Sequence, residues 1–388
     1  MQRAFGRAQL DVQVVYAFDF RLSIQIRPLV TGAKHSSYRP REVPGFHVLI
    51  SVSAWVAARR ALLRRSPASI CHGALYTGCM LHLSLIPRLL RFATPAVGLF
   101  CLMFTMPYAQ AWEHDGHTMI NRLAASTLPA DVPAFLRTPA AIDEIEYLGP
   151  EPDRWRSPAE PELVAAQAPE HFIDLELADA LGPLPHKRFD FEAMVFAAGQ
   201  RPEKIGLQPW ETDEVWERLK AAMRQYRFLA AGGQDTKGVE AAIIFYAGWL
   251  GHYVGDGSQP LHVTVQYNGW VGPNPHGYTT GHQIHHQFEG PFVAANMHVP
   301  DVQAKMTPPT IIQGDIFDAY LAYLRHTATY VEQVYQFDKA GAFIGAGTPE
   351  SRDFTAARLA AGASMLRDMI YTAWIDSAQP VPDPYAGK

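Results

Sequence analysis

From position 112 to the end, the chain contains no cysteine: the three it has, Cys71, Cys79 and Cys101, all lie upstream. Disulfides therefore cannot stabilise that part of the protein, even in an oxidising compartment. Charge is also scarce, at 18% of residues, against 48% hydrophobic. No internal repeat, low-complexity tract or succession of alternating strand patterns is present, which argues against solenoids and β-sandwiches. Basic residues form no stripe beyond position 112. That argues against a protein that grips long duplex nucleic acid through its phosphates.

The formal net charge of −5 hides an asymmetry. Residues 1–111 carry an excess of about ten positive charges and residues 112–388 an excess of about fifteen negative ones. The boundary coincides with a leader-like segment. Residues 80–111 begin with Met80, carry Arg88 and Arg91 ahead of an apolar stretch, and end in Ala109-Gln110-Ala111. A basic start, an apolar centre and a small-residue end predict a secretory signal peptide cleaved after Ala111. Pro95 and Pro107 interrupt the apolar centre and argue against a permanent membrane helix. Residues 1–79, arginine-rich and without sustained amphipathic pattern, read as an over-extended gene start. The expected mature chain is exported, to a periplasmic or extracellular location, and begins at Trp112.

What the mature part has is helical periodicity and histidine. Residues 112–126, 211–231, 239–250, 283–297, 316–337 and 351–378 predict helices, and the whole reads as one all-α domain. Residues 144–162 are rich in proline and charge and read as irregular. Residues 178–209 read as a long excursion, and 263–281, rich in Gly, Pro, Asn and Thr, as a loop.

The nearly uncharged run 239–250 leads directly into GHYVGDGSQPLH, residues 251–262. His252 and Asp256 are four apart, so on a helix they share a face and can grip one cation. Pro260 forbids simple continuation of the helix, and His262 follows just past the bend. Gly251, Gly255 and Gly257 remove side-chain bulk and allow other groups to approach. His285 and Glu289 repeat the four-residue spacing, His171 lies beside Phe172 and Ile173, and Asp153 has Arg156 three residues on. His117 falls five residues after Trp112, whose α-amine, once freed, has a pKa near that of the medium and can bind metal. His282 and His286 offer a rival register four apart. His114, His186, His276, His298 and His326 read as surface residues.

These residues resemble the superfamily of trinuclear zinc phosphodiesterases, which includes single-strand-specific zinc nucleases and bacterial zinc phospholipases C. The resemblance rests on W-x4-H (Trp112, His117), Asp153, His171, H-x3-D-x5-H (His252, Asp256, His262) and H-x3-E (His285, Glu289). It implies a single compact multi-helix domain and three zinc ions. One would be held by Asp153, His171, His252 and Asp256. A second would be held by the Trp112 amine and carbonyl, His117 and Asp256, and a third by His262, His285 and Glu289. It also implies hydrolysis by a metal-activated hydroxide, with Asp153 orienting the nucleophile and Arg156 stabilising charge at phosphorus. Glu289 is what the phospholipases use where nucleases have aspartate. The Trp112–His117 spacing and the length between His262 and His285 resemble the nucleases.

The expectation is a secreted single-strand nuclease or 3′-nucleotidase-like enzyme, with a phospholipase C acting on phospholipid head groups as the alternative. A helical protein with purely structural zinc is the second alternative. The expected partners are single-stranded nucleic acid or nucleotides, or lipid head groups, with no protein partner evident.

Overall fold

The computed structural model describes residues 112–381. The extension at 1–79 and the leader at 80–111 lie outside the described residues. Within them the protein is all-α, and no pairing of strands extends beyond isolated bridges such as Ile173 with Gly206.

The chain runs through α1 (Glu113–Ser126), α2 (Pro139–Leu148), α3 (Glu151–Arg154), α4 (Pro161–Gln167) and α5 (Leu175–Asp179). It continues through α6 (Arg188–Ala197), α7 (Pro202–Ile205), α8 (Gln208–Ala231) and α9 (Lys237–Asp256). The final elements are α10 (Ile284–Glu289), α11 (Pro291–Asn296), α12 (Val299–Gln303), α13 (Ile316–Ala328), α14 (Val331–Lys339) and α15 (Pro349–Asp376). Two 3₁₀ turns matter for the site, Ala168–His171 and Pro260–His262.

Helix α9 is the axis. It packs on α8, α2, α15 and α1, and every residue from Leu250 to Asp256 is buried. The first half of the helix keeps a solvent face at Ala241 and Phe245, and its apolar second half is enclosed by neighbours. Helix α15 also runs through the core: Ala356, Ala360 and Ala363 are buried and let the helices around it approach closely. Among the described residues, no helix is long and apolar enough to cross a membrane.

Several expectations need correction. Residues 144–162 are irregular only in part, at 149–150 and 155–160: α2 reaches Leu148, and α3 and α4 follow, each with proline in its first two positions. Proline there gives up only an N–H that has no helical partner, so it starts helices rather than breaking them. The excursion 178–209 contains α6 and α7. The helix expected over 316–337 is two, separated at Thr329–Tyr330, and 283–297 divides at Gly290 ahead of Pro291.

Candidate metal centre

The last turns of α9 carry His252 and Asp256 inward, both fully buried. His117 arrives from α1 and stacks on His252, ring centroids 4.0 Å apart. Gly255 permits this, because a Cβ there would stand 3.0 Å from His117 Nδ1. Asp153 comes from the single turn α3, and His171 from the end of a 3₁₀ turn. His171 Nδ1 lies 2.9 Å from His252 Nε2 and 3.3 Å from Asp256 Oδ2. His117 Nε2 lies 3.3 Å from Asp256 Oδ1, and Asp153 Oδ1 is 3.9 Å from both His171 and His252.

A second group stands beside the first. His262 ends the 3₁₀ turn after α9, while His285 and Glu289 share one face of α10. His262 Nε2 and His285 Nε2 are 3.1 Å apart, and Glu289 Oε2 is 3.0 Å from His285 and 3.7 Å from His262. His117, Asp153 and His252 form one candidate ligand triad, His171, His252 and Asp256 another, and His262, His285 and Glu289 a third, all buried.

The imidazoles are held in a definite tautomer. His252 Nδ1 donates to the Gly149 carbonyl at 2.9 Å, His262 Nδ1 to the His171 carbonyl at 2.7 Å, and His285 Nδ1 to the Tyr267 carbonyl at 2.9 Å. A carbonyl only accepts, so Nδ1 holds the proton and each Nε2 presents a lone pair. In their neutral forms, His262 and His285 thus turn both Nε2 lone pairs toward one point, where a shared cation suits them. Two imidazoles on a tetrahedral zinc place their nitrogens about 3.3 Å apart, within a few tenths of what is seen.

The carboxylates point the same way. Asp153 Oδ2, both oxygens of Asp256 and Glu289 Oε1 are buried without a hydrogen-bond partner. A buried carboxylate left uncompensated costs several kcal/mol, about enough to be avoided unless a cation belongs there. The donor set is nitrogen and oxygen only, which suits zinc. These residues fit the ions that the sequence implies.

In the protein alone, the two groups settle their charge differently. Burial pushes the Asp256 carboxyl up to about 8, with Glu289 adding to the rise. Burial likewise raises Asp153 to about 7, against the pull of His117 and Arg156. Burial holds His171 and His252 well below the usual histidine range. Burial thus disfavours the charged form of both partners in the 3.3 Å approach of His171 to Asp256. In the second group burial raises Glu289, but His285 and His262 outweigh it and bring the carboxyl to about 2. His285 rises in return, Glu289 outweighing its desolvation.

Arg156 stands at the rim, 24% exposed, with Nη1 3.4 Å from Asp153 Oδ1. Trp112 is fully buried, and its indole Nε1 is shared between the Gly255 carbonyl at 2.8 Å and Ser258 Oγ at 2.9 Å. This places the first turn of α1 against the end of α9. The Trp112 main-chain carbonyl accepts from Gly116 N at 3.0 Å. His282 and His286 turn elsewhere, to the Asn268 carbonyl and to Glu113.

Sequence reasoning missed the supporting residues. Gln259 donates from Nε2 to Glu289 Oε2 at 2.9 Å, and its Oε1 accepts from Leu261 N. Gln208 donates from Nε2 to the His171 and Tyr253 carbonyls. Gln259 sits inside the central motif, where its amide was the available signal. Gln208 carried none, lying in the first turn of a long helix.

No family model and no curated protein matches the chain. Among solved structures, it is similar to the Clostridium perfringens alpha-toxin isolated from avian strain SWCP, at 13% identity and a TM-score of 0.36. It is similar to the alpha toxin from Clostridium absonum at 11% identity and a TM-score of 0.36. Each overlap covers 69% of this chain and 65% of the toxin's, so the chain spans under two thirds of their length. At such TM-scores the likeness carries no argument. Fold and site together define a class on their own terms: an all-α domain enclosing two adjacent histidine–carboxylate groups with the chemistry of metal ligands.

Proposed function

We propose that the protein is a zinc-dependent hydrolase of phosphodiester bonds. The observation that supports it most is the meeting of five buried imidazoles with Asp153, Asp256 and Glu289, whose unpartnered oxygens ask for cations. Asp153, His171, His252 and Asp256 would hold one zinc. His117, Asp256 and the Trp112 main chain would hold a second, and His262, His285 and Glu289 a third. Zinc supplies Lewis acidity there, drawing charge from phosphoryl oxygens and bringing the acidity of water from a pKa of 15.7 to about 7.

Hydrolysis forms one P–O bond from water and breaks the ester P–O bond, and the departing alkoxide takes up a proton. Asp153 Oδ2, buried without a hydrogen-bond partner, is the group proposed to accept the proton of the attacking water. Arg156, at the rim, offers guanidinium donors to the phosphoryl oxygens and offsets charge in the transition state. Its contact with Asp153 holds the two side chains beside each other.

Two substrate classes fit this site, and the preference for a nuclease has no counterpart in the geometry. Glu289 favours phospholipid head groups through the family resemblance. The Trp112–His117 spacing favours single-stranded nucleic acid or nucleotides. Bis(p-nitrophenyl) phosphate assayed with and without chelator tests the reaction itself. Activity that survives complete metal removal would sink the proposal. Phosphatidylcholine against single-stranded DNA and RNA, under one set of conditions, decides between the substrates.

A further inference from the structure

We infer that Arg188 is a positioning residue for the metal-ligating side chains, acting through Glu170 and Glu211. The inference rests on the metal reading above but concerns a residue outside every candidate triad. Arg188 opens α6, within the segment that the sequence marks as an excursion.

Its guanidinium hydrogen-bonds three carboxylates and lies 3.8 Å from a fourth, Glu214. Nη2 donates to Glu170 Oε1 at 2.8 Å, Nη1 to Glu211 Oε2 at 3.2 Å and Nε to Glu192 Oε1 at 3.2 Å. Glu170 and Glu211 are buried, each 4% exposed. Glu170 immediately precedes His171 in its 3₁₀ turn, and Glu211 lies in the first turn of α8, three residues after Gln208. The fork thus pins the His171 turn against the start of α8 from one side, while Gln208 holds the His171 carbonyl from the other, at 3.4 Å.

His171 is the joint between the two ligand groups. Its ring meets His252 and Asp256, and its carbonyl fixes the tautomer and aim of His262 at 2.7 Å. A shift of this turn therefore moves ligands in both groups. Outer partners of ligating histidines commonly control metal affinity by about 10–100-fold. Lysine cannot replace the arginine in kind, because a point charge on a flexible stem cannot hold several carboxylates in a fixed fork.

The test uses the purified protein loaded with Co²⁺. Its visible absorption reports ligand geometry, and competition with a chromophoric chelator reports affinity. R188K keeps the charge and loses the fork. The triple variant R188M/E170Q/E211Q also loses the fork, but leaves no buried charge unpaired, so it separates positioning from uncompensated burial. Both are expected to bind Co²⁺ about 10–100-fold more weakly, with an altered spectrum. Their chelated forms should still unfold cooperatively within a few degrees of the parent's chelated form. Parental affinity and spectrum in both variants overturn the inference. So does failure of R188K to fold, which makes Arg188 a residue of the fold alone. A parent that takes up no cobalt or zinc sinks the metal reading itself, and this inference with it.

Discussion

His252 shows how much chemistry one residue carries here. One ring nitrogen is spent on the Gly149 carbonyl, and the other lies 2.9 Å from His171 Nδ1 in a fully buried position. Asp153 is the counterpart among the carboxylates, with one oxygen beside Arg156 and the other unpartnered. Asp153→Asn removes the proton acceptor at almost constant volume. Turnover of bis(p-nitrophenyl) phosphate should fall by about 10²–10⁴-fold, with far-UV circular dichroism unchanged. Gly251 makes a different prediction. A Cβ there would lie 2.0 Å from Asn121 Oδ1, and Asn121 is fixed by hydrogen bonds to the Ile145 and Gly248 carbonyls. Gly251→Ala should therefore destabilise the protein by about 1–3 kcal/mol, read as a lower denaturant midpoint. Comparing a chain that begins at Trp112 with one carrying a single extra residue before it tests the proposed terminal ligand. The expected result is fewer zinc equivalents in the extended chain by elemental analysis, with the indole still buried.

At the scale of the elements, legibility followed periodicity. The central helix and its H-x3-D-x5-H motif were readable because apolar residues run unbroken from Ala241 to Leu250 and the ligands fall at helical spacing. The segment around Asp153 was misread because Pro152 and Pro161 were taken as loop signals, whereas each sits at a helix start. Start signals supported by side chains are testable. Thr348 and Ser351 form a reciprocal capping box on α15, each side chain accepting from the other's backbone N–H. Thr348→Ala should cost about 1 kcal/mol in equilibrium unfolding, without change in metal content, because α15 carries none of the candidate ligands.

At the scale of the whole molecule, buried acid dominates. Asp256, raised to about 8, and Asp153, raised to about 7, bind protons more tightly in the folded chain than in the unfolded one. For the metal-free protein, their contribution is fully present below the ordinary carboxylate range and is lost as pH rises through 7 to 8. Metal ions take the deprotonated carboxylates. Zinc uptake below pH 7 should therefore release protons, and apparent affinity should climb with pH until about 8. Calorimetric titration in two buffers of different ionisation enthalpy measures that release. Equal heats in both would contradict it. Chelation should in turn lower the melting temperature, because metal that binds only the folded state stabilises it by mass action.

The sequence by itself determined the helical class, the histidine and carboxylate inventory, and the four-residue spacings that give a helix two ligands on one face. Those are local properties, governed by a period of 3.6 residues and by side-chain chemistry. Only the tertiary structure decided which carbonyl fixes each imidazole, that Gln259 and Gln208 brace the site, and that Arg188 reaches the turn before His171. Those contacts join residues far apart in the chain. They arise from which helices surround α9, and no periodicity along the chain records that arrangement.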